Sequence, residues 1–220
     1  MKSSMGKEWL FPVLLLFHFS FSHSLCHPHD NLALLHFKAS LTINITYNDN
    51  YYDDYSYPHH DYCHQVYRNI ETWENGTDCC SWSGVTCHPI SGHVIALDLP
   101  CAGLQGEITA NSTLFSLSHM QSLNLAFNNF SNSQIPSAIG ELVSLTHLDL
   151  TFSKFEGEIP PQISHLSKLQ SLDLSQLVPH PFLCYFVPYF WYYVIGKCDI
   201  APTSCHCNIR IMMGRSREEL

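Results

Sequence analysis

Charge is what this chain has least of. Only 13% of its 220 residues are Asp, Glu, Lys or Arg, about half the share usual in globular domains. A coiled coil or a charged disordered tail would need more. Basic residues are scarcer still: ten Lys plus Arg stand against nineteen Asp plus Glu, a formal net charge of −9 with His neutral. A phosphate backbone would repel such a chain, so no nucleic-acid partner is expected. Catalytic signatures are also missing. There is no G-x-S-x-G, no H-E-x-x-H, no phosphate loop and no kinase set, so no enzyme activity and no cofactor are expected. What the chain does have is 45% hydrophobic residues, 13% aromatics and ten cysteines. The length suits one ordinary domain or a short repeat array.

The first segment gives the cysteines a context. Lys2 and Lys7 flank the start of an apolar stretch from Trp9 to Phe21, which ends in Ser22-His23-Ser24. A positive start, about 13 apolar residues and a small-x-small end read as a secretory signal peptide over 1–24. That stretch is too short to span a bilayer. The chain is therefore expected in the secretory pathway and outside the cell, where cysteines form bridges. Cys26, Cys63, Cys79, Cys80, Cys87 and Cys101 make an even set, which spacing alone can join in 15 ways. A zinc site is the rival reading, and none is assigned.

Residues 25–93 read as a cysteine-bearing cap. Asp30 is a plausible helix N-cap, with an apolar stripe of Leu32, Leu35 and Ala39 and the nearby Leu34 and Leu41. From Asn48 to Tyr62, tyrosines alternate with aspartates without apolar periodicity, which reads as a surface loop. His59, His60 and His64 flank Cys63, but their spacing fits no metal site. Trp73 and the dense run CCSWSGVTC, Cys79 to Cys87, follow.

Residues 94–175 repeat. Leu97-Asp98-Leu99 recurs as Leu123-Asn124-Leu125, Leu148-Asp149-Leu150 and Leu172-Asp173-Leu174, at offsets of 26, 25 and 24 residues. Phe130 matches Phe155, and Ile135-Pro136 matches Ile159-Pro160. In L-x-L both leucines point to one face of a short strand and the middle residue to the other. A lone strand cannot bury its leucines, but parallel stacking of the units makes one continuous core. The fold class is therefore an α/β repeat solenoid of about four units behind a cap that contains a helix, with an irregular tail. Asn128 should bond the backbone of the neighbouring turn. Ala102 and Ser153 hold the matching places in other units.

These residues resemble a known family. His29 to Lys38 (HDNLALLHFK), Asp61-Tyr62-Cys63, CCSWSGVTC, Gly92 to Leu99 (GHVIALDL) and His165 to Leu169 (HLSKL) look like the N-terminal part of a plant leucine-rich-repeat receptor-like protein of the Cf-type disease-resistance group. The resemblance covers roughly residues 1–175. It implies an extracellular module that reads a protein or peptide ligand of microbial origin in defence signalling, with a receptor-like kinase as co-receptor. It also implies the bridges Cys26–Cys79 and Cys80–Cys87, with Cys63–Cys101 as the pair left over. The ligand-facing positions would be Asp98, Ser122, Asn124, Ala126, His147, Asp149, Thr151, Ser171 and Asp173 on the concave strand face. A soluble polygalacturonase-inhibitor-like protein shares the cap and repeats and is the alternative. A non-functional truncated product is a further one.

The repeat stops at Gln176. Residues 176–220 are aberrant, apolar and then Cys-rich, and 174–196 contain no Asp, Glu, Lys or Arg. The adopted reading is a truncated form. The alternative is a membrane span over 177–196, opposed by Pro179, Pro181 and Pro188, which would leave the ectodomain outside the plasma membrane. Without a capping end, Leu166, Leu169, Leu172 and Leu174 are expected to lie open and favour aggregation. Four sequons, at Asn44, Asn75, Asn111 and Asn129, are expected glycosylation sites.

Overall fold

The computed structural model describes residues 25–44, Cys63 and residues 69–174, together with the chain course through 195–201 and 204–212. The signal segment, the Tyr/Asp loop with His59, His60 and His64, and residues 175–194 lie outside the described residues. Among the described residues no helix is long and apolar enough to cross a membrane. The proposed span over 177–196 falls outside them, except for Ile195 and Gly196, which begin a β-strand.

Four short strands carry the leucine repeat: β3 (Val94–Asp98), β5 (Ser122–Asn124), β6 (His147–Asp149) and β7 (Ser171–Asp173). They pair parallel and in one register, Leu97 beside Leu123, Leu148 and Leu172. The inward leucines at these four rungs are at most 4% exposed. Burial of this kind contributes roughly 1.5–3 kcal/mol per leucine. Behind the sheet the chain returns through 3-10 turns, Thr113–Ser116, Ser137–Glu141 and Pro161–His165. Pro136 and Pro160 stand at the caps of the last two, in extended conformation. Phe130 and Phe155 stack at 4.9 Å behind the leucines. Cys101, Phe127 and Phe152, one per coil, turn the chain out of its strand with φ of 55°, 57° and 52°.

Both ends of this sheet are covered. β2 (Val85–Cys87) pairs antiparallel with β3. At the far end β8 (Ile195–Ala201) and β9 (Ser204–Met212) form a hairpin whose β9 pairs with β7, Leu172 beside Ile211. The seven strands run in the order β2-β3-β5-β6-β7-β9-β8. This corrects the expectation of open leucines: Leu166, Leu169, Leu172 and Leu174 are 0%, 2%, 4% and 2% exposed. They point into the coil, and the sheet continues past them. A second, small sheet lies on the other side of the coil. There β1 (Thr42–Ile43) pairs antiparallel with β4 (Leu104–Gln105), and single parallel bridges join Gln105 to Asn129 and Gln134 to Glu156.

The cap helix α1 (Pro28–Ala39) differs from its sequence reading. Its N-cap is His27, with Pro28 in the first turn, where proline's fixed φ suits a helix start. Asp30 lies inside the first turn and is buried, as are Ala33, Leu34 and Phe37. The core face is therefore 30-33-34-37. Leu32 is 53% exposed and Ala39 lies on the surface.

The rest of the cap is held by specific polar contacts. Trp73 and Trp82 stack at 5.2 Å. Their indole N–H groups donate to the Ser83 carbonyl (3.2 Å) and to Thr77 Oγ1 (2.7 Å). Lys38 Nζ donates to the carbonyls of Glu71 and Trp73. Three disulfides join Cys26 to Cys79, Cys63 to Cys101 and Cys80 to Cys87.

Candidate ligand-binding face

The four parallel strands expose two rows of side chains. Ser122, His147 and Ser171 form one row. Asp98, Asn124, Asp149 and Asp173 form the other, each beside its neighbour in the strand register. His147 is exposed, and the other residues of both rows are half-buried. Thr146 Oγ1 lies 2.8 Å from His147 Nδ1 and donates to the Gln121 carbonyl at 2.7 Å.

The second row also has a structural task. Asn124 Oδ1 accepts from the Ala126 N–H (3.0 Å), and Asp149 Oδ1 accepts from the Thr151 N–H (2.9 Å). Such Asx-type bonds close a turn, so the polar residue inside L-x-L ends its own strand. Asn124 Nδ2 also donates to Asp98 Oδ1 at 2.9 Å, linking adjacent coils.

Ala126 does not belong to this face. It is 1% exposed, because β5 ends at Asn124 and the chain has already turned inward. Its carbonyl accepts from the Cys101 N–H and from Asn128 Nδ2. Thr151 is half-buried, and its Oγ1 is enclosed without a hydrogen-bond partner.

Asn44, Asn75 and Asn111 are exposed. Asn129 is half-buried, and its Oδ1 accepts from the Ser131 N–H and hydroxyl. None of the four lies on the seven-stranded sheet. On the outer side, an open groove of about 570 Å³ runs between Glu107, Asn132, Gln134 and Glu158.

A second cluster, not readable in the sequence, gathers at the start of α1. Asp30 Oδ2 accepts from the Val94 N–H (2.8 Å) and lies 3.1 Å from His93 Nδ1. Asp30 Oδ1 lies 3.2 Å from His29 Nδ1 and 3.9 Å from His27 Nδ1. Burial pushes the Asp30 carboxyl up, but the bonds from Val94, His29 and His93 together outweigh it and hold it below its ordinary value. The His27 ring stacks on His93 at 4.1 Å, and His93 on His119 at 4.0 Å. Asp30 and His93 are 63 residues apart, and no local spacing announces the pair.

Comparison with known proteins agrees with this architecture. Residues 27–50 and 66–88 match the leucine rich repeat N-terminal domain family, and 119–142 and 144–166 match the leucine rich repeat. Receptor-like protein Cf-9 of Solanum pimpinellifolium is 45% identical over 163 residues, 72% of this chain and 18% of that protein. Receptor-like protein 6 of Arabidopsis thaliana is 40% identical over 168 residues, 73% of this chain and 16% of that one. The chain belongs to the plant leucine-rich-repeat receptor-like proteins. It spans less than a fifth of the length of either relative. Among solved structures, the BIR2 ectodomain from Arabidopsis thaliana aligns over 64% of each chain at 27% identity, with a TM-score of 0.47. The receptor-like family accounts for the cap followed by repeats.

Proposed function

We propose that this chain is the extracellular ligand-recognition module of a plant receptor-like protein in defence signalling. Residues 25–93 serve as cap and 94–175 as reading surface. The ligand is a protein or peptide of microbial origin, and a receptor-like kinase acts as co-receptor. The observation that carries this reading is the parallel sheet itself. Its two polar rows, Ser122-His147-Ser171 and Asp98-Asn124-Asp149-Asp173, lie in strict register over a leucine core. Such rows offer hydrogen-bond partners at strand spacing, about 4.8 Å. The sequons at Asn44, Asn75, Asn111 and Asn129 all lie off that sheet. The place of action is the cell exterior, in the apoplast or at the plasma membrane.

The test uses the secreted, oxidised chain against a displayed library of peptides from microbial secreted proteins. Selected peptides are expected to lose at least tenfold in affinity towards His147→Glu and Ser122→Arg. Equal binding to both variants would overturn the concave-face reading. Binding and inhibition of a fungal polygalacturonase would favour the soluble-inhibitor alternative instead.

A further inference from the structure

We propose that His27 Nδ1, the Asp30 carboxylate and His93 Nδ1 form a site for one divalent transition cation of the Zn²⁺ class, which clamps the cap helix to the first coil. One donor atom of each residue lies within 4.8 Å of the other two, and the two Nδ1 atoms stand 3.9 Å and 3.1 Å from the Asp30 oxygens. Two imidazoles and one carboxylate are the donor set that borderline cations such as Zn²⁺ take, with water completing the sphere.

The carboxylate is already positioned. Asp30 is 3% exposed, and the Val94 N–H fixes Oδ2 at 2.8 Å. His29, 3.2 Å from Oδ1, is placed to orient the carboxylate from outside, as groups around metal ligands commonly do. His93 is held between two stacked rings, and the His27 backbone N–H donates to the Gly92 carbonyl at 2.9 Å.

The independent sign of a missing ligand is His27 Nδ1. It is shielded from solvent and makes no hydrogen bond. A polar atom left in that condition is unfavourable, and a cation between it and Asp30 would satisfy it. The His27 and His93 rings stand 25° from parallel, so their in-plane lone pairs do not yet converge. Cation binding therefore turns the His27 ring about χ2 and gives up its stack on His93, which stays held by the His119 ring. The positive pole at the start of α1 opposes a cation, and the Asp30 charge offsets it. Among the described residues the other group with suitable spacing, Cys26, Cys79, Cys80 and Cys87, has its sulfurs committed to disulfides.

The test is calorimetric titration of the full oxidised chain, stripped with chelator, using Zn²⁺ alone, with Co²⁺ absorption as a second readout. One site per chain is expected. His27→Ala, a half-exposed position whose backbone bond survives, should weaken it at least tenfold, and so should His93→Ala. His119→Ala, which removes a stacking ring but no ligand atom, should leave it within about twofold. The combined variant His59→Ala, His60→Ala and His64→Ala should do the same. Absence of Zn²⁺ uptake would overturn the proposal. So would retention of the site in His27→Ala, or its loss only in the 59/60/64 variant.

Discussion

The Asn128 amide in the second coil donates to the Leu99 carbonyl of the first at 2.8 Å, while its Oδ1 accepts from the Leu104 N–H at 3.0 Å. Two further bonds reach the carbonyls of Leu125 and Ala126. One side chain thus satisfies both faces of a buried turn. In the next coil Ser153 stands in its place and reaches only the Leu150 carbonyl of its own turn.

Replacement of that amide should be costly. Asn128→Ala leaves the Leu104 N–H and the Leu99 carbonyl buried without this partner. At about 1–3 kcal/mol for each of these two unsatisfied groups, a loss of roughly 2–6 kcal/mol is expected. Denaturant unfolding checks it, and a loss under about 1 kcal/mol would show that water takes over the role.

The bridges should differ in weight. Cys26–Cys79 closes a separation of 53 residues and Cys80–Cys87 one of 7. Chain-entropy reasoning gives about 4 kcal/mol for the first and about 2.5 for the second. Cys26→Ser should therefore reduce secretion more than Cys87→Ser. The reverse order, or peptide mapping that finds Cys80 bonded elsewhere, speaks against these pairings.

Asp30 makes stability depend on acid. Its folded-state value lies below the ordinary one, so its contribution is complete above about pH 4 and is lost as pH falls through the folded value. In chelator, Asp30→Asn should destabilise the chain at pH 7, and the gap to the native chain should narrow below about pH 4. Unfolding curves across pH 2.5–7 measure this, and a constant gap would contradict it.

Gly84 should tolerate no side chain. Its φ is +80°, and an added Cβ would come within 2.4 Å of the Asp98 carbonyl oxygen. Asp98 N–H in turn donates to the Gly84 carbonyl at 2.7 Å. Gly84→Ala should pull β2 from β3 and cost at least about 2 kcal/mol. Gly76, also at positive φ but with open space around it, should accept alanine at about half that cost or less. Similar losses at both positions would remove the steric explanation.

The repeat was legible because its leucines hold one phase over offsets of 24–26 residues, and a buried strand has few other ways to use that pattern. The helix face was not. Leu32 to Leu35 is apolar on every side, so the period could not be read until Phe37 and Asp30 turned inward. Asp30 looked like a cap because aspartate is a good one, but its carboxylate serves the Val94 N–H from another element. Ala126 leaves the face for a local reason: β5 ends at Asn124, whose side chain closes a turn on the Ala126 N–H. The imidazole stack joins α1, the start of β3 and the loop before β5, and only the folded chain brings those three together.

The parallel register also acts as a ruler. Four strands separated by about 4.8 Å span roughly 14 Å, and an extended peptide advances about 3.3 Å per residue. A ligand lying along the stack would meet this surface with only about four or five consecutive residues. Under the proposed reading, this surface would contribute selectivity through one or two well-placed side chains, and a substitution of His147, the exposed imidazole of its row, is expected to change which peptides bind.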